Sequence, residues 1–231
     1  MKLKACINGP RTHSDHHAVP VTGEQIAAEA VAAARAGAEA IHVHPKTSDG
    51  TDSLDADRVT VAVDAAREAG IPVGVTTGAW STPDLASRLE AVSSWRTLPD
   101  FASVNWHETG ATEVAALLLD RGVAVEAGLW NAEAARSWLD SGLATQCLRA
   151  LLEVQPGASL SVADELLALT APVGIPLLLH GQNDTCWRTL GLAVENGLAS
   201  RIGLEDTIVL PDGTPARGNF ELVTAALTYW S

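Results

Sequence analysis

Two histidines separated by one residue form the clearest chemical signal in this sequence. They lie in Ile41-His42-Val43-His44-Pro45, within a short apolar run that predicts a β-strand. Side chains at positions i and i+2 of a strand project to the same side, so the two imidazoles should point together. Two neutral imidazoles and a carboxylate form a catalytic metal site that keeps one position open. Histidines held by ordinary hydrogen bonds are the competing interpretation.

The carboxylate of such a site should come from another strand end. Glu205 closes the eighth predicted strand, and only the first strand separates the eighth from the second, so Glu205 is within plausible reach. Other strand-end residues compete as ligands: His180, Glu126 and Glu153. The favoured prediction is a metal site formed by His42, His44 and Glu205.

Two further charged features accompany this site. Arg201 and Asp206 stand five residues apart, across a strand end and its turn. They could orient a substrate carboxylate, act as a base dyad or form a structural salt bridge. Glu126 is the lone charge of the run 123–127 and is predicted to end the fifth strand. A buried carboxylate that faces a barrel mouth is usually functional, with a structural role as the alternative.

Neutral polar groups end several other strands. Thr76, Thr77 and Ser103 offer hydroxyl and backbone donors for an oxyanion, or they cap the strand ends. Asn8 and Asn105 are further candidate substrate contacts. Four tryptophans follow strand ends and could wall an apolar pocket or pack within loops: Trp80, Trp106, Trp130 and Trp187.

These residues are positioned by a regular alternation of strands and helices. The predicted strands span 2–8, 40–44, 73–76, 101–105, 123–127, 148–153, 175–180 and 200–204. The predicted helices span 22–36, 55–69, a stretch opening at Ser81-Thr82-Pro83, 112–120, 132–139, 162–169, 186–195 and 219–229. Strict alternation implies a parallel sheet, and eight such units can close a (β/α)₈ barrel with its active site at the carboxyl ends of the strands. We therefore predict an α/β TIM barrel that forms a single domain over residues 1–231. A doubly wound open sheet is the alternative, but no glycine-rich phosphate loop follows the first strand.

Composition limits the partners and the compartment. The net charge of −13 comes without a basic run, which argues against nucleic acid or an anionic membrane as the main partner. No apolar stretch reaches the roughly 18 residues of a membrane-spanning helix, and the N-terminus lacks a secretory pattern. The three cysteines show no CxxC spacing, so a reducing cytoplasm is expected.

Several motifs occur together in an order that resembles one enzyme family. They are Asn8-Gly9, a loop leading to Pro20, His42-Val43-His44-Pro45, Thr76-Thr77-Gly78, the run 102–105 (ASVN) and the run 201–206 (RIGLED). Together they resemble the β-keto acid cleavage enzymes over essentially the whole chain. The pairing of HxHP with a distant R-x-G-x-E-D is fairly specific, whereas either half alone would be weak.

The resemblance implies a zinc-dependent (β/α)₈ barrel that forms a homo-oligomer, either a tetramer or a dimer. Members of the family convert a small β-keto acid and acetyl-CoA into acetoacetate and a new acyl-CoA. Carried over to this chain, the zinc ligands would be His42, His44 and Glu205. Arg201 and Asp206 would form the dyad that helps to generate the nucleophile, while Thr76, Ser103 and Glu126 would line the substrate site.

Departures from the family pattern leave alternatives open. The chain is shorter than typical members, and the loops after strands six and seven differ from theirs. A shortened mouth could support a hydrolytic retro-Claisen cleavage without CoA, with His180 as an added base. Arg11 lies in the first loop, where a cation would favour an anionic or polar substrate tail over an amino-bearing one. A ligand-binding barrel without catalysis is the remaining alternative.

Overall fold

The computed structural model describes residues 1–230 and places eight parallel strands in one sheet. The strands are β1 (Leu3–Cys6), β2 (Ala40–Val43), β3 (Val73–Thr76), β4 (Phe101–Asn105), β5 (Ala124–Leu129), β6 (Arg149–Val154), β7 (Leu177–Gly181) and β8 (Ser200–Ile202). Neighbours in the sheet follow the order β7-β6-β5-β4-β3-β2-β1-β8. A parallel bridge between Leu178 and Ala199 brings β7 to β8 and nearly closes the ring. The predicted (β/α)₈ barrel is confirmed.

A helix follows each strand. The helices are α1 (Gly23–Arg35), α2 (Ala56–Ala66), α3 (Leu85–Ser94), α4 (Ala111–Asp120), α5 (Ala132–Asp140), α6 (Ser161–Thr170), α7 (Cys186–Glu195) and α8 (Asn219–Leu227). Helix α1 begins at the predicted capping box, in which Thr22 accepts from the Gln25 backbone and the Gln25 side chain accepts in return. Among residues 1–230, no helix combines the length and apolar character needed to cross a membrane.

The start of α3 differs from the prediction. The Ser81-Thr82-Pro83 motif does not open the helix, because Ser81 closes a short 3₁₀ turn, Ala79–Ser81. Asp84 is the N-cap instead, and its side chain accepts a hydrogen bond from the backbone N–H of Ser87. A carboxylate caps a helix as well as a hydroxyl does, so the Ser81-Thr82-Pro83 motif and Asp84 are competing start signals. The helix begins at the later of the two, Asp84.

The inside of the barrel carries many charged and polar side chains, and the main apolar core lies outside it. Alternate strand residues such as Ala5, Ile41 and Val75 pack into the apolar layer between the sheet and the helices. The intervening residues face inward, as shown by Lys4 of β1 reaching Glu126 of β5 across the ring, with 2.5 Å between Nζ and Oε2. This polar interior places ionisable groups below the mouth of the barrel.

Candidate metal centre and active-site cavity

The two histidines and Glu205 meet at the mouth of the barrel. Nε2 of His42 lies 3.8 Å from Oε2 of Glu205, and Nε2 of His44 lies 3.7 Å from the same oxygen. One ligand atom from each residue falls within 4.8 Å of the others, and all three residues are buried. The arrangement could hold one metal ion, as the spacing of the histidines predicted.

The donor atoms fit a divalent cation. Oε2 of Glu205 is buried and accepts no hydrogen bond from any residue in 1–230, while Oε1 accepts one from Arg201. A buried carboxylate oxygen without a donor is costly unless a cation compensates it. Burial lowers the pKa of His42 well below its ordinary value, which favours the neutral imidazole that binds metals. Two imidazole nitrogens and one carboxylate oxygen are a donor set typical of catalytic zinc.

A carboxylate that sequence reasoning missed orients His44. Oδ2 of Asp52 lies 2.7 Å from Nδ1 of His44 and also accepts from Trp80 Nε1, while Oδ1 accepts from Lys46 Nζ. With Nδ1 engaged by Asp52, the Nε2 lone pair of His44 is directed toward Glu205. Burial opposes ionisation of Asp52, but His44 and Lys46 outweigh it and hold the Asp52 pKa below its ordinary value.

Asn8 fixes the backbone that carries His44. Its Oδ1 accepts from the His44 N–H at 2.8 Å, and its Nδ2 donates to the carbonyls of His44 and Pro20 at 2.9 and 3.1 Å. Because β2 ends at Val43, this clamp continues the extended course of the chain beyond the strand. Asn8 is fully buried and supports the three candidate ligands, His42, His44 and Glu205, which we call the metal group. It does not line the cavity that opens beside them.

Arg201 and Asp206 form the predicted pair. One guanidinium nitrogen of Arg201, NH2, donates to Asp206 Oδ1 at 2.7 Å and to Glu205 Oε1 at 2.9 Å. Burial raises the pKa of Asp206, against the opposing effect of Arg201. Arg201 lines the cavity, whereas Asp206 is fully buried and does not.

A cavity of about 250 Å³ opens beside the metal group. Its wall is formed by Pro10, His42, His44, Thr76, Trp80, Ser103, Asn105, Gly128, Trp130, Leu151, Glu153, Gln182, Arg201 and Glu205. Thr76, Ser103 and Asn105 therefore lie where the sequence placed them, and two of the four tryptophans, Trp80 and Trp130, wall the cavity. Trp187 packs elsewhere, with its indole N–H donating to the carbonyl of Val209.

Three other residues predicted for the site lie off this wall. Thr77 is buried, and its hydroxyl donates to the carbonyl of Ser103 and accepts from Arg88. Arg11 lies in an adjoining groove, where it donates to Asn183 Oδ1 and to the Glu205 carbonyl. His180 is buried beneath the wall, beside Glu153.

The prediction that Glu126 ends the fifth strand is wrong. Strand β5 continues to Leu129, so Glu126 lies three residues deeper in the barrel. There it is fully buried, paired with Lys4 and with Arg149, whose Nε lies 3.2 Å from Oε1. Apolar and small residues after Glu126 continue the strand, and the lone charge in the run marked the barrel interior instead of its mouth.

Fold and site together define a (β/α)₈-barrel protein with a candidate metal centre and a small cavity at the carboxyl ends of its strands. Comparison with known proteins makes the class more specific. The model of the beta-keto acid cleavage enzyme family matches residues 1–230. The chain belongs to that family, and the resemblance predicted from the motifs is confirmed.

Relatives of known name agree with this assignment. The chain is 28% identical to a 3-keto-5-aminohexanoate cleavage enzyme of Fusobacterium nucleatum, with 96% of this chain and 88% of the relative covered. It is 25% identical to the enzyme of the same name from Acetoanaerobium sticklandii, with the same coverage.

Solved structures agree on the fold alone. The 3-dehydroquinate dehydratase of Enterococcus faecalis superposes with a TM-score of 0.63 at 12% identity, covering 99% of this chain and 92% of that one. The N-acetylmannosamine-6-phosphate 2-epimerase of Clostridium perfringens gives 0.59 at 13% identity, covering 89% and 87%.

Proposed function

We propose that the protein is a zinc-dependent enzyme that cleaves a small β-keto acid with acetyl-CoA, giving acetoacetate and a new acyl-CoA. The single observation that carries this proposal is the buried group of His42, His44 and Glu205 beside a small cavity, in a member of this family. Zinc held by these three residues would polarise the keto group of the substrate.

Arg201 is suited to bind the substrate carboxylate. It lines the cavity, and its Nε is buried without a hydrogen-bond partner among residues 1–230. Its NH2 is held by Glu205 and Asp206, so the guanidinium is fixed before substrate enters. Asp206 completes the proposed dyad by keeping Arg201 in place.

The negative charge that develops on oxygen during cleavage needs donors on the cavity wall. Ser103 and Thr76 present hydroxyls there, and Asn105 presents an amide whose Nδ2 is held by Glu108 at 3.0 Å. Such donors are effective when they are fixed before the reaction, because they need not reorganise as charge forms. We assign these three residues to oxyanion and substrate contacts.

The size of the cavity and the position of Arg11 suggest the substrate class. A volume of about 250 Å³ suits a short-chain keto acid. The Arg11 guanidinium lies in the groove that adjoins the cavity through Pro10, Gln182 and Glu205. We propose that this charge favours a tail that is anionic or polar over the amino-bearing tail for which the relatives are named.

A panel of β-keto acids, assayed with and without acetyl-CoA, tests the proposal. We expect cleavage by the zinc-loaded chain only when acetyl-CoA is present, with polar or anionic tails preferred, and no turnover by His42→Ala. Cleavage without CoA would indicate the hydrolytic retro-Claisen alternative. Metal binding without turnover of any keto acid would indicate a binding protein, and a reaction confined to amino-substituted acids would contradict the role of Arg11.

A further inference from the structure

Two polar groups of the cavity wall have no part in the proposed mechanism: the carboxyl of Glu153 and the indole N–H of Trp130. Glu153 belongs to β6, and Trp130 directly follows β5. Strands β5 and β6 stand opposite β1 and β2 in the eight-stranded ring, so both residues lie across the cavity from the histidines. A keto acid with its keto oxygen at the metal group would extend its tail toward them.

Glu153 offers a hydrogen-bond acceptor to the cavity. Its Oε1 accepts from Nε2 of Gln155 at 2.7 Å, which fixes the carboxyl group. Its Oε2 lies 3.6 Å from Nε2 of His180, which is too far for a good hydrogen bond. Oε2 is therefore available to a group that enters the cavity.

Trp130 offers a donor beside this acceptor. Its Nε1 is buried and has no hydrogen-bond partner among residues 1–230, although a buried indole N–H usually finds one. His107 packs against the indole, with 3.8 Å between the ring centroids, and helps to hold the ring in place. Burial raises the pKa of Glu153 and the N–H of Trp130 acts in the opposite direction, so the two groups are neighbours. A donor and an acceptor thus stand together on this side of the cavity.

A tail that carries a hydroxyl satisfies this pair better than an ammonium, a carboxylate or an alkyl tail. A hydroxyl both donates and accepts, so it can donate to Oε2 of Glu153 and accept from Nε1 of Trp130. An ammonium only donates and would leave the indole N–H buried and unpaired, which is costly. A carboxylate only accepts and would be repelled by Glu153, and an alkyl group pairs with neither residue.

The charges around the cavity favour the same group. Arg11 in the adjoining groove disfavours a cationic tail, and Glu153 on the wall disfavours an anionic one. We propose that the substrate is a β-keto acid whose tail carries a hydroxyl, and that Glu153 and Trp130 are the residues that select it. The inference rests on the proposed function, because it takes the keto group to lie at the metal group.

A matched series of keto acids tests this inference. The probes are 3-ketohexanoate, its 5-hydroxy and 5-amino derivatives, and 3-ketoadipate, which all have six-carbon chains. Isothermal titration calorimetry gives Kd for the zinc-loaded full chain without acetyl-CoA, and kcat/KM is then measured with acetyl-CoA. We expect the 5-hydroxy acid to exceed the unsubstituted acid by about 10- to 100-fold in affinity and in kcat/KM. It should also exceed the 5-amino acid and 3-ketoadipate.

Substitutions on the cavity wall identify the selecting groups. Trp130→Phe keeps an aromatic ring but removes the N–H, and Glu153→Met keeps a side chain of similar length but removes the acceptor. Each should lower the preference for the hydroxyl by about tenfold. Glu153→Gln can still accept from the hydroxyl and should retain most of the preference. Trp187→Phe, the same change at a tryptophan outside the cavity, should leave it unchanged. The preference is a ratio within one variant, so differences in folded fraction cancel.

Equal Kd values for the hydroxy and unsubstituted acids would overturn the inference, as would a preference that survives in both Trp130→Phe and Glu153→Met. Tighter binding of the 5-amino acid or of 3-ketoadipate would overturn it too. Cleavage of 3-ketohexanoate without any gain from the hydroxyl would leave the proposed function standing and remove only this inference. Selective binding of the 5-hydroxy acid without cleavage of any keto acid would support the inference and contradict the proposed function. No binding of any of the four acids would overturn both.

Discussion

At the scale of single residues, the metal group depends on a carboxylate that does not touch the metal position. Asp52 accepts from three donors, His44 Nδ1, Lys46 Nζ and Trp80 Nε1. We expect Asp52→Asn to weaken zinc binding by about 10- to 100-fold, because it replaces the charge that orients His44. Competition with a chromophoric chelator measures this directly. Asp49→Asn, an exposed change in the same loop, is the control, and equal affinity in both variants would refute the role of Asp52.

Glu126 provides the opposite case, a buried charge with a structural role. Lys4 and Glu126 are both fully buried, so Glu126→Gln leaves the Lys4 ammonium without its counter-charge. We expect a loss of about 3–5 kcal/mol in the free energy of unfolding, with zinc content and turnover per folded molecule retained. Urea denaturation and activity at low temperature check both parts. Unchanged stability together with lost turnover would restore the catalytic role that the sequence suggested.

At the scale of elements, the turn after β1 holds Glu205 in place. Gly9 has φ of +58°, and a Cβ at this position would collide with Cγ and Cβ of Glu205. Gly9→Ala should therefore displace the carboxylate and lower zinc affinity at least tenfold, in addition to about 1–2 kcal/mol of backbone strain.

A matched substitution separates these two effects. Gly122 has φ of +76°, and no atom lies within 4 Å of the point that a Cβ would occupy, so Gly122→Ala carries the strain alone. Thermal unfolding should show a loss in both variants, larger in Gly9→Ala because its Cβ also meets Glu205, and zinc titration should show a defect in Gly9→Ala only. A zinc defect of equal size in Gly122→Ala would contradict the role assigned to the turn after β1.

The elements also show why the sequence predicted the metal ligands but not the residues around them. Local patterns sufficed for the strand that carries His42 and ends just before His44, and for the capping box of α1, since both are short-range signals. Strand ends moved by up to two residues, and for β5 this shift was enough to misplace Glu126. Asp52 escaped prediction because its contact with His44 depends on how a loop folds back, which no local pattern encodes.

At the scale of the whole molecule, the alternation of elements determined the architecture. Eight strand–helix units in strict order leave few arrangements other than a closed parallel ring. The number and order of these units were therefore enough to predict the barrel. The order of strands around the ring places β8 next to β1 and one strand away from β2, which is why Glu205 joins residues more than 160 positions earlier in the chain. The register of β6 and β7 also places Glu153 beside His180, a contact that no local pattern of the sequence encodes.

The oligomeric state is predicted only by the resemblance to the family. We propose a homo-oligomer, a tetramer or a dimer. Light scattering coupled to size-exclusion chromatography should give two or four times the chain mass of 24.1 kDa. A monomer at micromolar concentration would contradict this expectation without affecting the site.

Metal stoichiometry tests the central claim most directly. Elemental analysis of the purified wild type, beside His42→Ala and Glu205→Ala, should give about one zinc per chain in the wild type and almost none in either variant. Circular dichroism should show the same secondary-structure content in all three proteins, so that the loss of zinc can be attributed to the missing ligand. A wild type that takes up no zinc after reconstitution, or variants that retain it fully, would contradict the assignment of these residues as a zinc centre.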